Sequence, residues 1–246
     1  MRSARLTFAY RPAVVLVAHG SRDPRAAVST EALARAVRRA RPDWTVRASY
    51  LDHDGPRPLD VLAALPGRRV ALVPLLLTAA YHGRVDLPAV IREAEPLPLT
   101  VTATDVLGPA SPLLLAALER RLPGNDLDAV VLAAAGTRDD AARATVAEAA
   151  AALGRRLGLP SAVSYASGPG ARSGEAVARL RAAGARRVGV AAYFLAPGLL
   201  YDTAVRAAVE AGAVTAAEPL GDAPELVRLI GARAEAVLSE PLPVAA

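Results

Sequence analysis

Short runs of β-branched and aliphatic residues alternate along the chain with longer alanine- and arginine-rich segments whose apolar positions recur every three to four residues. The short runs read as strands buried on both faces and the long segments as amphipathic helices. Their alternation predicts βαβ units built on a parallel sheet with helices on both sides. In the first half the pattern predicts strands near 13–18, 45–51, 69–76 and 98–103, and helices near 24–41, 57–65, 84–95 and 111–121. The segment LPGNDLD at 122–128 supplies turn chemistry before a new apolar run, VVLAA, begins.

That new run opens a second copy of the first half. VVLVAHGSRDP at 14–24 is echoed by VVLAAAGTRDD at 130–140, ASYLD at 48–52 by VSYAS at 163–167, and RRVALVPLLLTAAYH at 68–82 by RRVGVAAYFLAPGLL at 186–200. The three echoes keep their order at separations of 116, 115 and 118 residues, the mark of an internal duplication. Two similarly folded α/β domains are expected, residues 1–122 and 123–246, with their parallel sheets facing each other across a cleft.

The copies differ at three positions that carry chemistry: His19 stands opposite Ala135, Asp52 opposite Ser167 and His82 opposite Leu200. All three histidines of the chain lie in the first half, and His19 and His82 each follow an apolar strand, where loops deliver side chains into the crevice of an open α/β sheet. Two imidazoles and a carboxylate at such strand ends suit Fe²⁺, Co²⁺, Ni²⁺ or Zn²⁺ while leaving coordination positions open. His53, beside Asp52, reads first as a surface residue. The loop Gly20-Ser21-Arg22-Asp23-Pro24 has a structural reading: Gly20 permits the turn, Ser21 or Asp23 caps the helix, and Pro24 fits its first turn. The second copy keeps Gly136, Thr137, Arg138 and Asp139, so these residues build the turn in both halves, and only His19 is particular to the first.

Composition narrows the chemistry. With no cysteine, disulfides, thiolate metal sites, iron–sulfur clusters and a thiol nucleophile are excluded. The 29 basic residues are all arginines, scattered without a basic block or interleaved aromatics, so the net charge of +5 favours anionic small molecules rather than nucleic acid. Neither GxGxxG nor a Walker lysine is present, which leaves a nucleotide- or sugar-phosphate-binding protein as a minor alternative. The opening MRSARLTFAYRP has no apolar stretch ending in a cleavage site and no run is long enough to span a bilayer, so a cytoplasmic location without membrane association is expected.

VAHGSRDP at 17–24 and PLLLTAAYHGRVDLP at 74–88 together resemble the two signature blocks of the class II chelatases, the CbiX/SirB-like sirohydrochlorin chelatases. In the second block a histidine, here His82, follows a hydrophobic strand and precedes an Asp-Leu-Pro element at Asp86–Pro88. The resemblance implies a chelatase-like fold of two Rossmann-like domains and ATP-independent insertion of Fe²⁺ (siroheme synthesis) or Co²⁺ (cobalamin synthesis) into a tetrapyrrole. The divalent metal is then a substrate, with nickel as an alternative, and no organic cofactor is implied. It further implies that His19 and His82 bind the metal and assist pyrrole deprotonation, with a carboxylate at the second strand end nearby. Asp52 occupies that place, where the family often has a glutamate, and Thr78-Ala79-Ala80-Tyr81 departs from the glycine usual before the second histidine. For a polycarboxylate ring the candidate substrate contacts are Ser21, Arg22, Tyr81 and Arg84, with Arg57 as a further arginine. A carrier of metal or tetrapyrrole without turnover is the alternative from another class. Because the duplication is within one chain, a monomer is expected.

Overall fold

The computed structural model describes residues 11–66, 69–78, 86–124 and 126–239. In the first half β1 (Ala13–Ala18), α1 (Pro24–Ala40), β2 (Thr45–Tyr50), α2 (Pro58–Ala63), β3 (Arg69–Pro74), α3 (Asp86–Ala94), β4 (Thr100–Ala103) and α4 (Pro112–Arg121) follow one another. The second half repeats the series as β5 (Ala129–Ala134), α5 (Asp140–Leu157), β6 (Ser161–Tyr165), α6 (Ser173–Ala182), β7 (Val188–Tyr193), α7 (Leu199–Glu210), β8 (Thr215–Ala216) and α8 (Pro224–Leu238). The two sheets have orders β2-β1-β3-β4 and β6-β5-β7-β8, with every pairing parallel. The expected architecture of two repeated Rossmann-like α/β units is therefore the observed one.

The inner strands are buried because they are flanked on both sides, whereas the edge strands β4 and β8 are only partly covered. The central strands β1 and β5 are buried at all six positions, as continuous Val, Leu and Ala runs require in a sheet covered on both faces. In the first sheet Ala13, Val15 and Val17 face α2 and α3, meeting Leu62, Leu87 and Val90. Val14, Leu16 and Ala18 face the other way, toward Leu33 and Val37 of α1. The helix start follows its sequence signals: Asp23 accepts a hydrogen bond from the Arg25 backbone N–H, Ser21 Oγ accepts one from the Asp23 N–H, and Pro24 occupies the first turn.

The pattern of apolar positions does not say which sheet a terminal helix covers, and here the halves exchange helices. α8, the last helix of the second half, packs against β3 and α1, placing Leu226, Leu229 and Ile230 in the core of the first sheet. The Arg69 guanidinium reaches across to donate to the Val237 carbonyl at 3.2 Å. α4, the last helix of the first half, reciprocally packs on α5 and β7 of the second. The two exchanged helices meet, and Arg120 Nε of α4 lies 3.1 Å from both carboxylate oxygens of Glu225 in the first turn of α8. One apolar core therefore runs through both halves.

Candidate functional site

In the first sheet the chain leaves β1 toward β2 on one side and returns to β3 on the other, so the C-terminal end of β1 is the switch point at which open α/β sheets place ligands. His19 is the first residue beyond that end. It is part-buried, and its Nδ1 lies 3.1 Å from the Gly20 carbonyl oxygen. Gly20 turns the chain sharply at φ +92°, a conformation that glycine adopts without a Cβ penalty.

The loop after β2 closes over this turn. Leu51 and Asp52 donate their backbone N–H groups to the Ala18 and His19 carbonyls at 2.9 and 2.8 Å. Asp54 Oδ2 accepts from the Ser21 N–H at 3.1 Å, tying the two loops together. The second half repeats this backbone almost bond for bond: Ala166 and Ser167 donate to the Ala134 and Ala135 carbonyls at 2.8 and 2.9 Å, and Gly136 has φ +98°. The first half thus differs from its copy in the side chains placed on the frame and not in the frame itself.

Those side chains converge. The ring of His53 stands 6.2 Å from that of His19, measured between centroids, and His53 Nε2 lies 3.6 Å from Asp52 Oδ2. His53 is exposed, as its sequence context suggested, yet it belongs to the same cluster as His19; a left-handed backbone at φ 62° turns it back toward the β1 loop. The His53 N–H, donating to Asp52 Oδ1 at 2.8 Å, does most to hold the Asp52 carboxyl below its ordinary range. Desolvation opposes this, and the charges of His53, Arg57 and His19 add to it. Asp52 exposes 57% of its side chain, so it is an anion available to solvent and ligand. Among the described residues no group of three or more histidine, aspartate or glutamate side chains is arranged to hold a metal ion.

His19 opens onto a cleft of about 530 Å³ between the halves. The first half lines it with His19, Ser21, Thr30, Tyr50 and Asp54; the second lines it with Ala135, Phe194 and the segment Leu195–Tyr201. Desolvation, with Glu31 and Asp54 nearby, pushes the Tyr50 hydroxyl up to about 12, so it is a neutral donor at physiological pH. At the mouth, Arg25 on α1 contacts Asp23 Oδ2 at 2.5 Å and, across the cleft, Asp202 Oδ2 on α7 at 2.6 Å. An adjoining space of about 200 Å³ is bounded by Leu76, Leu77 and Thr78 after β3 and by Ala135, Gly136 and Thr137 of the second half.

Of the residues singled out in the sequence, His19 and Ser21 line the cleft, and Asp52 lies in the loop packed against the His19 turn. Arg22 is exposed and is not part of the lining; Arg57 is exposed, donates to the Leu51 carbonyl and approaches Asp52 Oδ1 at 3.9 Å. Tyr81, His82 and Arg84 lie outside the described residues, but the chain leading to them departs from Thr78, in the wall of the interdomain cleft. Sequence reasoning missed Asp54 as the link between the two loops. Its signal was the replacement of Asp54 by Pro169 in the second copy, a further loss of a carboxylate beside the one at Asp52.

Comparison with known proteins bears on both halves. A sequence model of the CbiX family matches residues 13–124 and again 129–237. No curated protein sequence matches at a significant level. Among solved structures, SirB from Bacillus subtilis with Fe³⁺ superposes with a TM-score of 0.76 at 19% identity, covering 93% of this chain and 96% of that one. The sirohydrochlorin chelatase SirB from Bacillus subtilis subspecies spizizenii in complex with cobalt gives 0.74 at 21% identity over the same shares. CbiX, described as the terminal enzyme for siroheme biosynthesis in denitrifying bacteria, gives 0.62 at 18% identity, covering 93% of this chain and all of that one.

Proposed function

The chain belongs to the CbiX family, and from that premise we propose that it is a sirohydrochlorin chelatase, inserting Fe²⁺ or Co²⁺ into the tetrapyrrole without ATP. The observation that carries the reading is the one-sided chemistry of a duplicated frame. Ala135 occupies the same backbone position as His19, with the same hydrogen bonds around it, but only the first half presents an imidazole to the cleft. The metals held by the SirB structures, Fe³⁺ and cobalt, support iron and cobalt over nickel as substrates here.

Metal insertion requires the loss of two pyrrole protons, partial desolvation of the cation and access of the ring nitrogens to it. Neutral imidazole is both a ligand and a base near neutral pH. In this proposal one of His19 and His82 holds the incoming metal and the other accepts pyrrole protons. Asp52, kept anionic by the His53 N–H, favours both the cation and an imidazolium. The cleft supplies shape, and Ser21 with the neutral Tyr50 hydroxyl supplies polar contacts for the ring.

The test is anaerobic absorbance spectroscopy of sirohydrochlorin with Fe²⁺ and with Co²⁺, using wild type, the His19→Ala/His82→Ala protein and no protein. Metallation accelerated by wild type alone is the expected result. A folded double variant that works at the wild-type rate overturns the histidine roles. Ring binding without acceleration makes the chain a carrier.

A further inference from the structure

The second half meets the cleft with an apolar wall. α7 buries Ala204 and Ala208 against its own sheet, and Tyr201 packs edge-on against Phe194. Leu199 and Leu200, at the start of the same helix, lie off that buried stripe: 75% and 40% of their surfaces are exposed, and both line the space in front of His19. Two large adjacent apolar side chains left in water inside a concave site contribute little to the fold, and contiguous exposed apolar surface of this kind marks a ligand or partner contact. The other strongly exposed apolar residues, Val28, Val209 and Val214, lie outside this cleft.

The duplication sharpens the point. Leu199 and Leu200 stand in the repeat where the first half has Tyr81 and His82. Where one copy keeps a polar pair, the other presents two leucines toward His19. Gly198 keeps this lip close to the first half: a Cβ built there would lie 4.0 Å from Ser21 Oγ. A ligand between the walls therefore meets imidazole and hydroxyl groups on one face and hydrocarbon on the other, with Arg25, held by Asp23 and Asp202, bridging α1 and α7 nearby. That distribution fits a flat molecule with one face laid on hydrocarbon and polar nitrogens turned toward His19.

We propose that Leu199 and Leu200 form an apolar platform that takes one face of the tetrapyrrole macrocycle and holds its opposite face toward His19. The platform rests on the chelatase reading and adds to it the residues that seat the ring. Burial of both leucines against the ring makes a non-electrostatic contribution to binding, so it is independent of ionic strength, unlike any contact from the arginines.

The experiment is an anaerobic absorbance titration of metal-free sirohydrochlorin with wild type, Leu199→Ser/Leu200→Ser and Leu199→Met/Leu200→Met, at low and high salt. Leu199 is largely exposed and Leu200 two-fifths exposed, so the serine variant should stay folded with a small drop in unfolding temperature, and its binding is read per folded molecule. Its dissociation constant should rise about ten-fold or more, by the same factor at both salt concentrations, while the methionine variant binds as wild type does. Equal binding by the serine variant, a loss confined to low salt, or failure of methionine to substitute overturns the platform while leaving the chelatase reading in place. A wild-type protein that does not bind the ring overturns both.

Discussion

Gly20 and the Asp52 carbonyl approach so closely that a Cβ on Gly20 would lie 1.7 Å from the Asp52 oxygen; Gly136 and Ser167 repeat the relationship at 2.0 Å. With a positive φ as well, neither glycine can be replaced without moving the loop that follows β2 or β6. Gly20→Ala and Gly136→Ala should each destabilise the protein by about 2 kcal/mol or more in urea unfolding. Their catalytic effects should differ: per folded molecule, Gly20→Ala displaces His19 and lowers the metallation rate by about a hundred-fold, whereas Gly136→Ala moves only Ala135 and lowers it by less than about ten-fold. Equal catalytic losses from both would remove the functional distinction between the halves.

The cluster around His19 predicts a graded response. His19→Ala should lower the metallation rate by about a hundred-fold or more, the range lost with a proton-transferring or ligating imidazole. His53→Ala, exposed and joined to the site chiefly through Asp52, should lower it by less than about ten-fold, since the His53 backbone N–H that steadies Asp52 remains in the variant. Steady-state rates for the two variants at saturating metal distinguish them, and a larger loss from His53 would reverse the assignment.

Glu225 joins the exchanged helices and titrates with the fold. Its side chain is nine-tenths buried, and desolvation raises its pKa, but backbone donation together with Arg120 and Arg228 outweighs this and holds it below the ordinary 4.5. A carboxyl depressed in the folded state contributes stability that is complete above its unfolded pKa and is lost as pH falls through the folded value. Glu225→Gln should therefore cost about 1–2 kcal/mol at neutral pH, with half-exposed Arg120 discounted for solvent screening. The gap from wild type should close in urea titrations carried below the ordinary 4.5. A gap that persists in acid would assign the effect to packing instead of charge.

Helix exchange makes a prediction about the isolated first half. Residues 1–124 alone contain α4 but no α8, leaving Val14, Leu16, Ala71 and Val73 without the cover of Leu226, Leu229 and Ile230. Two such chains can each lend α4 to the other's sheet, so sedimentation analysis should show a dimer. A folded monomer would mean that α4 can turn back onto its own sheet.

Much of this was legible in the sequence because it is local. The burial of β1 and β5 follows from uninterrupted aliphatic runs, and the α1 start from Asp23-Pro24 after a glycine turn. The equivalence of the two halves follows from residues that build the same turn twice, and His19 stood out because Ala135 replaced it on an otherwise retained frame. What could not be read depends on chain direction beyond a single element. The apolar stripes of α4 and α8 announce burial but not against which sheet. The approach of His53 to His19 depends on one left-handed residue that no periodicity encodes. The exposure of Leu199 and Leu200 was equally hidden, since leucines opening an amphipathic helix read as core.

Synthesis from the N-terminus gives the reciprocal covering a temporal meaning. The sheet that bears His19 leaves the ribosome well before α8, which helps to seal one of its faces. Until Leu226, Leu229 and Ile230 arrive, that face is covered by α1 alone, and a nascent chain has every reason to bind a chaperone or a neighbouring chain on the part left bare. Completion of the half that bears His19 thus waits for α8, so a product truncated before Pro224 would carry His19 without a finished core beneath it.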